Sequence, residues 1–202
     1  MTNFIMGIGV LGTWAIAALA IWGEQIRSRW VRPELRIERE GFSGTVATHE
    51  NGKKARYYFI RVKNPARIPP AHEVQLVLTR IEKSGQFEPE TLFDEIMPVA
   101  WARQELSPLL TRTVGSDQLA NIFFVQADGI LGFTPAMLPS RIPSHFPYLH
   151  QGPATLWVTL RAVSIEADSR SIRLKIEWSG QWYPSKAEIE NACKVSVDSD
   201  AR

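Results

Sequence analysis

The residue types that catalysis and metal binding need are scarce in this chain. It has four histidines, His49, His72, His145 and His150, and a single cysteine, Cys193. His49 and His72 each precede a glutamate, but neighbours along a strand point to opposite faces, so neither pair converges on one ion. One cysteine excludes an intramolecular disulfide and a cysteine-based zinc site. The sequence therefore predicts no catalytic residue, no metal site and no cofactor.

A glycine pattern near the N-terminus resembles a phosphate-binding loop. Residues 7–12 read GIGVLG and match G-x-G-x-x-G, the pattern of dinucleotide-binding loops. Such a loop needs a preceding strand that delivers the glycines to a sheet, and further βαβ units after it. Only Phe4, Ile5 and Met6 could form that strand, and no further βαβ unit follows. The glycines fit better as packing residues of a membrane helix.

Residues 4–22 have the composition and length of a membrane-spanning segment. They contain no charged residue, histidine, asparagine or glutamine, and Trp22 ends them where an indole prefers the membrane interface. A helix of this length spans about 28 Å, close to the ~30 Å hydrocarbon core of a bilayer. A cleaved signal peptide is the alternative, but residues 1–3 lack the basic charge of such peptides. The sequence predicts a transmembrane helix over residues 4–22, with residues 1–3 as its N-terminal tip.

Arginines follow this helix but do not precede it. Residues 23–33 form an arginine-rich linker with Arg27, Arg29 and Arg32. The flank of a membrane helix that carries more arginine and lysine stays in the cytoplasm. The expected location is therefore the inner (cell) membrane, with the N-terminus outside and the soluble domain cytoplasmic. These three arginines either set topology alone or also contact anionic lipid headgroups.

Small residues recur along one side of the predicted helix. The stripe consists of Gly9, Gly12, Thr13 and Ala17. Small side chains let two membrane helices approach closely, so a second copy of the chain is a candidate partner. The plainer alternative is a helix that is rich in glycine and alanine without a packing role.

Alternating apolar residues predict a mainly β domain over residues 34–192. The clearest strands are residues 56–63, 155–162 and 171–178, and the last two form a hairpin with one wet face. About seven strands and no amphipathic helix of ordinary length favour an antiparallel, immunoglobulin-like β-sandwich, with a barrel as the alternative. Ser185 and Glu188 form a capping box that predicts a short helix. Residues 193–202 are expected to be a polar tail.

Residues 129–153 form an unusual segment, rich in both proline and large apolar residues. Its prolines exclude a helix or a central strand. An exposed apolar loop must cover its own domain, a partner or the membrane. The segment is therefore either a loop folded over a sandwich edge or a binding loop, whose candidate contact residues are Phe133, Met137, Leu138, Phe146 and Tyr148.

These features predict a single-pass, membrane-anchored interaction module with an unidentified protein partner. The formal net charge of +2 gives no general reason to expect nucleic acid as a partner. Two alternatives come from other classes of function. One is an enzyme whose site is assembled from scattered residues, and the other is a membrane effector that oligomerises through its helix.

A topology reporter fused after Arg202 tests the predicted orientation. Because the arginine bias retains the C-terminal side in the cytoplasm, a fused fluorescent protein should fluoresce and a fused alkaline phosphatase should be inactive. The reverse pattern in the two fusions would contradict the prediction.

Overall fold

The structure is a computed structural model that describes residues 32–39, 44–49, 51–65, 69–102, 111–137 and 139–198. The predicted transmembrane helix, residues 4–22, lies outside these ranges. Within them, no helix is both long and apolar enough to cross a membrane. The described part of the chain is mainly β, with two antiparallel sheets and one short α-helix.

The first sheet has six strands. Its order is β1-β3-β8-β9-β10, and β2 lies beside β1 on the same edge of β3. The strands are β1 (Arg36–Arg39), β2 (Thr45–Thr48), β3 (Lys54–Lys63), β8 (Asp117–Gln126), β9 (Ile130–Phe133) and β10 (Leu149–Gln151).

The second sheet has seven strands. Its order is β13-β12-β11-β4-β5, and β6 and β7 continue the line of β5 along the edge of the long strand β4. The strands are β4 (Ala71–Lys83), β5 (Glu90–Phe93), β6 (Met97–Pro98), β7 (Arg112–Val114), β11 (Ala154–Val163), β12 (Ile172–Trp178) and β13 (Cys193–Val197).

Apolar and polar residues alternate along the long strands, as the sequence predicts, and the apolar residues form the core. On β3, Tyr58, Ile60 and Val62 are buried. The same holds for Leu156, Val158 and Leu160 on β11, which pair in register with Ile176, Leu174 and Ile172 on β12. Each sheet therefore has one apolar face, and the two faces belong to a single buried cluster.

The predicted number of strands, about seven, is too low. The described residues form thirteen strands, and eight of these have only two to five residues. Strands this short do not contain enough alternating positions to produce a periodic signal. They form because the edges of β3, β4, β8, β9 and β12 offer backbone groups to neighbouring segments.

One segment passes from the second sheet to the first. The amide of Val99 donates to the carbonyl of Leu76 on β4 (2.9 Å), whereas the next amide, Ala100, donates to Thr134 beside the first sheet (3.0 Å). Trp101 then forms a bridge with Ala120 on β8 and is buried. This crossing joins the sheets along one side of the sandwich.

The C-terminal region contains the predicted helix, followed by a strand that the sequence analysis missed. Helix α1 (Lys186–Ala192) begins at Ser185, whose hydroxyl accepts a hydrogen bond from the amide of Glu188 (3.2 Å), so the capping prediction is confirmed. The predicted polar tail starts too early, because β13 pairs with β12 and buries Cys193 and Val195. Alternation over five residues that include lysine and serine is too weak to reveal this edge strand.

Turns meet closely at the end of the sandwich where β8 and β12 finish. Gly129 and Gly180 both have φ of +79°, a conformation that side chains with a Cβ disfavour. A Cβ on Gly180 would lie 2.8 Å from the backbone nitrogen of Pro153 and 2.9 Å from the carbonyl carbon of Gly152. Glycine is therefore needed at position 180 for its φ and also for its close backbone contacts.

Replacement of Gly180 by alanine should destabilise the domain strongly. A non-glycine residue with positive φ costs about 1–3 kcal/mol, and here the added methyl group also collides with backbone that cannot move independently. Gly52→Ala is the matched control, since Gly52 has φ of +78° but no atom near the position of its Cβ. In urea unfolding of the full chain followed by tryptophan fluorescence, Gly180→Ala should lose about 2 kcal/mol more than Gly52→Ala. Equal losses would contradict the close packing.

Candidate interaction surface

The proline-rich segment largely closes one side of the sandwich. Pro135 forms a bridge with Val99, and the amide of Ala136 donates to the carbonyl of Pro98 (2.8 Å). A 3-10 helix follows over Pro139–Arg141. Phe146 then packs edge-on against Phe93 of β5, with ring centroids 5.0 Å apart. This part of the segment connects β5 and β6 of the second sheet with β9 of the first.

The five candidate residues of the binding loop are in different environments. Phe133 and Phe146 are buried in the core and Met137 is half-buried against it. Leu138 lies outside the described residues. Tyr148 is 39% exposed, more than the other three described candidates. The two phenylalanines are thus core residues, because Phe146 packs against Phe93 and Phe133 packs against Phe146.

An aromatic cluster covers part of the outer face of the first sheet, and we call it the outer cluster: His49, Tyr57, Phe124 and Leu149. Phe124 is its centre, with ring centroids 4.7 Å from His49 and 5.6 Å from Tyr57. Phe124 lies across Gly132 of β9, where a Cβ would come within 2.3 Å of its ring and 2.9 Å of Leu149. Phe124 is fully buried although it points away from the main core.

Leu149 is the exposed member of the outer cluster, with 53% of its surface accessible. It lies on β10, the last strand of the first sheet, directly opposite Gly132. No described strand pairs with the other edge of β10. This part of the molecule therefore combines an exposed apolar side chain with a strand edge whose backbone groups are available to a partner.

His150, the next residue of β10, is held neutral near pH 7. Burial lowers its pKa below the usual range, and the nearby positive charge of Lys83 lowers it further. Its Nε2 atom is buried and has no hydrogen-bond partner among the described residues. The edge of β10 therefore carries no positive charge from this imidazole at physiological pH.

The other histidines are dispersed. The Nε2 atom of His145 lies 3.3 Å from Glu95, and both side chains are largely exposed. The Nδ1 atom of His72 lies 3.5 Å from the hydroxyl of Thr113. Within the described ranges, no three His, Cys, Asp or Glu residues are arranged so that they could hold a metal ion.

The single thiol is also poorly suited to nucleophilic chemistry. Cys193 is buried, and burial raises the pKa of its thiol to about 12, although Tyr58 and Arg56 act in the opposite direction. Burial is also the main cause that raises the pKa of the Tyr58 hydroxyl. Because the thiolate is the reactive form, the protonated thiol of Cys193 is inert at neutral pH.

The predicted membrane residues lie mostly outside the described ranges. This applies to Gly9, Gly12, Thr13 and Ala17, and also to Arg27 and Arg29. Arg32 is the first described residue, and its side chain is exposed.

Sequence patterns alone did not identify Leu149 and Tyr57 as surface residues. Because neighbouring residues of a strand point to opposite faces, Tyr57 points away from the core that contains Tyr58. This alternation could have identified Tyr57 as a surface residue. No alternation could identify Leu149, because β10 has only three residues. The exposure of Leu149 depends on its pairing with Gly132.

No model of a known protein family matches the chain, and no curated protein is significantly similar to it in sequence. Function is therefore inferred from the described surface and the sequence.

The state of Cys193 can be tested with a thiol reagent at pH 8. The folded chain should react at least about a hundredfold more slowly than the urea-unfolded chain, because burial excludes the reagent and keeps the thiol protonated. The raised pKa also gives a pH dependence. The unfolded thiol ionises near its ordinary value of 9.0 but the folded thiol only near 12, so stability from the neutral thiol is complete below pH 9 and is lost as pH rises to about 12.

Cys193→Ala is the control for that pH dependence, since alanine does not ionise. The difference in unfolding free energy between the natural chain and this variant should shrink as pH rises above 9. Rapid labelling of the folded chain, or a difference that does not change with pH, would contradict a buried neutral thiol.

Proposed function

We propose that this chain is a single-pass membrane protein whose β-sandwich binds a protein partner across β10 and the outer cluster. In this proposal residues 4–22 anchor the domain in the inner membrane and the sandwich, of immunoglobulin-like type, lies in the cytoplasm. The observation that carries the binding role is the exposure of Leu149 on an edge strand, beside the buried ring of Phe124.

The geometry of β10 suits the addition of a strand by the partner. An added strand satisfies the free backbone groups of the edge, while alternate side chains pack on the face of the sheet. Leu149 points to the same face as Gly132 and Phe124, so a residue of the added strand beside Leu149 would meet the outer cluster. Tyr57 pairs in register with Phe124 and lies on the same face, so it would form the rim of such a contact.

The energetics are consistent with an interface centred on a few side chains. Burial of the exposed part of Leu149 contributes about 1 kcal/mol, and backbone hydrogen bonds along the edge each add about 1 kcal/mol. Aromatic residues at the rim raise this further, since tyrosine is enriched among the residues that dominate binding energy. Anchoring in a membrane also raises the effective concentration of the domain near any partner in the same membrane.

Two further features support the assignment of the fold and the anchor. Both sheets contain neighbours that are distant in sequence, β3 with β8 and β4 with β11, as in sandwiches of Greek-key type. The first sheet begins at Arg36, so thirteen residues separate the domain from the proposed anchor, which ends at Trp22.

Leu149→Arg tests the proposed binding surface. A charged side chain at this position opposes burial against a partner, so affinity for proteins co-purified with the full chain from solubilised membranes should fall at least about tenfold. Val197→Arg is the matched control, because Val197 is 45% exposed and lies on β13, an edge strand of the other sheet. If Leu149→Arg retains the same partners as Val197→Arg, the proposed surface is wrong.

The two alternative functions have no comparable support from the described residues. The enzyme would need converging catalytic groups, whereas the clefts described at the sandwich surface are lined by neither histidine nor cysteine. The oligomerising effector depends on Gly9, Gly12, Thr13 and Ala17, which lie outside the described part of the chain.

A further inference from the structure

The turn between β11 and β12, residues 164–171, lies at the end of the sandwich where the chain enters β1. We propose that this turn docks on the lipid headgroups of the bilayer, with Ile165 inserted into the interface. The inference rests on the proposed membrane anchor and adds a second membrane contact, made by the folded domain itself.

Strand register shows which elements share this end. Arg36 at the start of β1 pairs with Lys63 at the end of β3, and Lys63 pairs with Asp117 at the start of β8. In the other sheet, the amide of His72 near the start of β4 donates to the Glu166 carboxylate in the turn (3.1 Å). Residues at the start of β1 and at the end of the turn line one cleft, namely Glu34, Leu35, Arg36, Arg170 and Ser171. The start of β1 and the turn therefore lie at the same end of the domain.

The length of the linker determines which end faces the membrane. Nine residues lie between Trp22 and Arg32, and the ten Cα-to-Cα steps of a fully extended chain between them reach at most about 35 Å. The thirteen residues of β4 extend over about 43 Å. The amide of Glu34 donates to Asn64 just beyond the end of β3, so Arg32 lies at the same end as the start of β1. In an inverted upright domain, Arg32 would therefore be further from the membrane than the linker can reach. The end that carries the turn is thus the end held near the lipid.

The turn presents an apolar residue on a rigid support. Ile165 is 73% exposed. On either side of it, the hydroxyl of Ser164 donates to the carbonyl of Ala167 (2.6 Å) and accepts from its amide (2.9 Å). The hydroxyl of Ser169 accepts from the amide of Ala162 (2.9 Å) and anchors the other side of the turn to β11. Because the turn is fixed in this way, Ile165 can enter a lipid interface without any reordering of the backbone.

Charge at this end is compatible with an anionic surface. Three acids are matched by arginines in ion pairs, Glu34 with Arg36, Asp117 with Arg61 and Asp168 with Arg161. Arg32 and Arg170 are exposed and form no ion pair with a described residue. Glu73 and Glu166 keep the local surplus of positive charge small, so Ile165 provides the main contact and the arginines favour anionic headgroups.

A fluorescent label on the full chain tests this contact. Ile165→Cys and, as a matched control, Phe87→Cys are each labelled with a nitrobenzoxadiazole dye in vesicles of phosphatidylcholine and phosphatidylglycerol. Phe87 is 93% exposed and lies in the β4–β5 turn at the opposite end of the domain, and buried Cys193 should not react. Nitroxide lipids should reduce fluorescence at position 165 about twofold, since interfacial side chains lie about 5–10 Å into the headgroup boundary, and leave position 87 unchanged.

The remaining outcomes separate the possible failures. If the chain floats with the vesicles but both labels stay unquenched, the turn does not touch lipid and this inference is wrong, while the anchor stands. A blue shift at position 165 without quenching by nitroxide lipids would show that protein covers the turn, which also overturns the inference. If the chain does not float with vesicles, the membrane anchor itself fails and this inference fails with it.

Discussion

The burial of two apolar sheet faces against each other is the constraint on which the rest of this structure depends. Tyr58 and Phe123, whose rings stack with centroids 4.5 Å apart, belong to the same buried cluster as Leu78 and Leu160 of the other sheet. Neither sheet could hide its apolar face alone, so the connections must keep the sheets face to face. The crossing at Val99 and Ala100 is one such connection, because these two consecutive residues form hydrogen bonds to different sheets.

Once the faces are joined, the edges become the variable part of the molecule. The proline-rich segment covers one side by placing Phe146 against Phe93. The short strands β5, β6 and β7 occupy the edge of β4. The outer edge of β10 has no partner among the described strands, and it is next to the exposed Leu149. The proposed binding surface is therefore where the packing of the sandwich leaves both backbone groups and apolar surface open.

The chemistry of the buried polar groups reinforces this view of the surface. Burial keeps Cys193 and Tyr58 protonated, and Arg56 is buried beside them. These groups lie in the interior between β3 of the first sheet and β13 of the second, and they do not line a described cleft. What the domain presents to other molecules is its edges and turns, and the two ends differ. The end that follows the linker carries Ile165, and the opposite end carries the packed turns of Gly129 and Gly180.

The sequence by itself determined the mainly β character, the inward residues of β3, β11 and β12, and the start of α1 at Ser185. These features depend on local alternation and on a capping motif, and both patterns involve residues that are close together in the sequence. Only the tertiary structure decided that Phe133 and Phe146 are core residues, that Leu149 is exposed and that Cys193 begins a strand. Each of these outcomes depends on contacts between residues far apart in the chain, such as Leu149 with Gly132 and Cys193 with Trp178. Whether a residue is buried depends on the residues that pack against it, and no local sequence pattern specifies those residues.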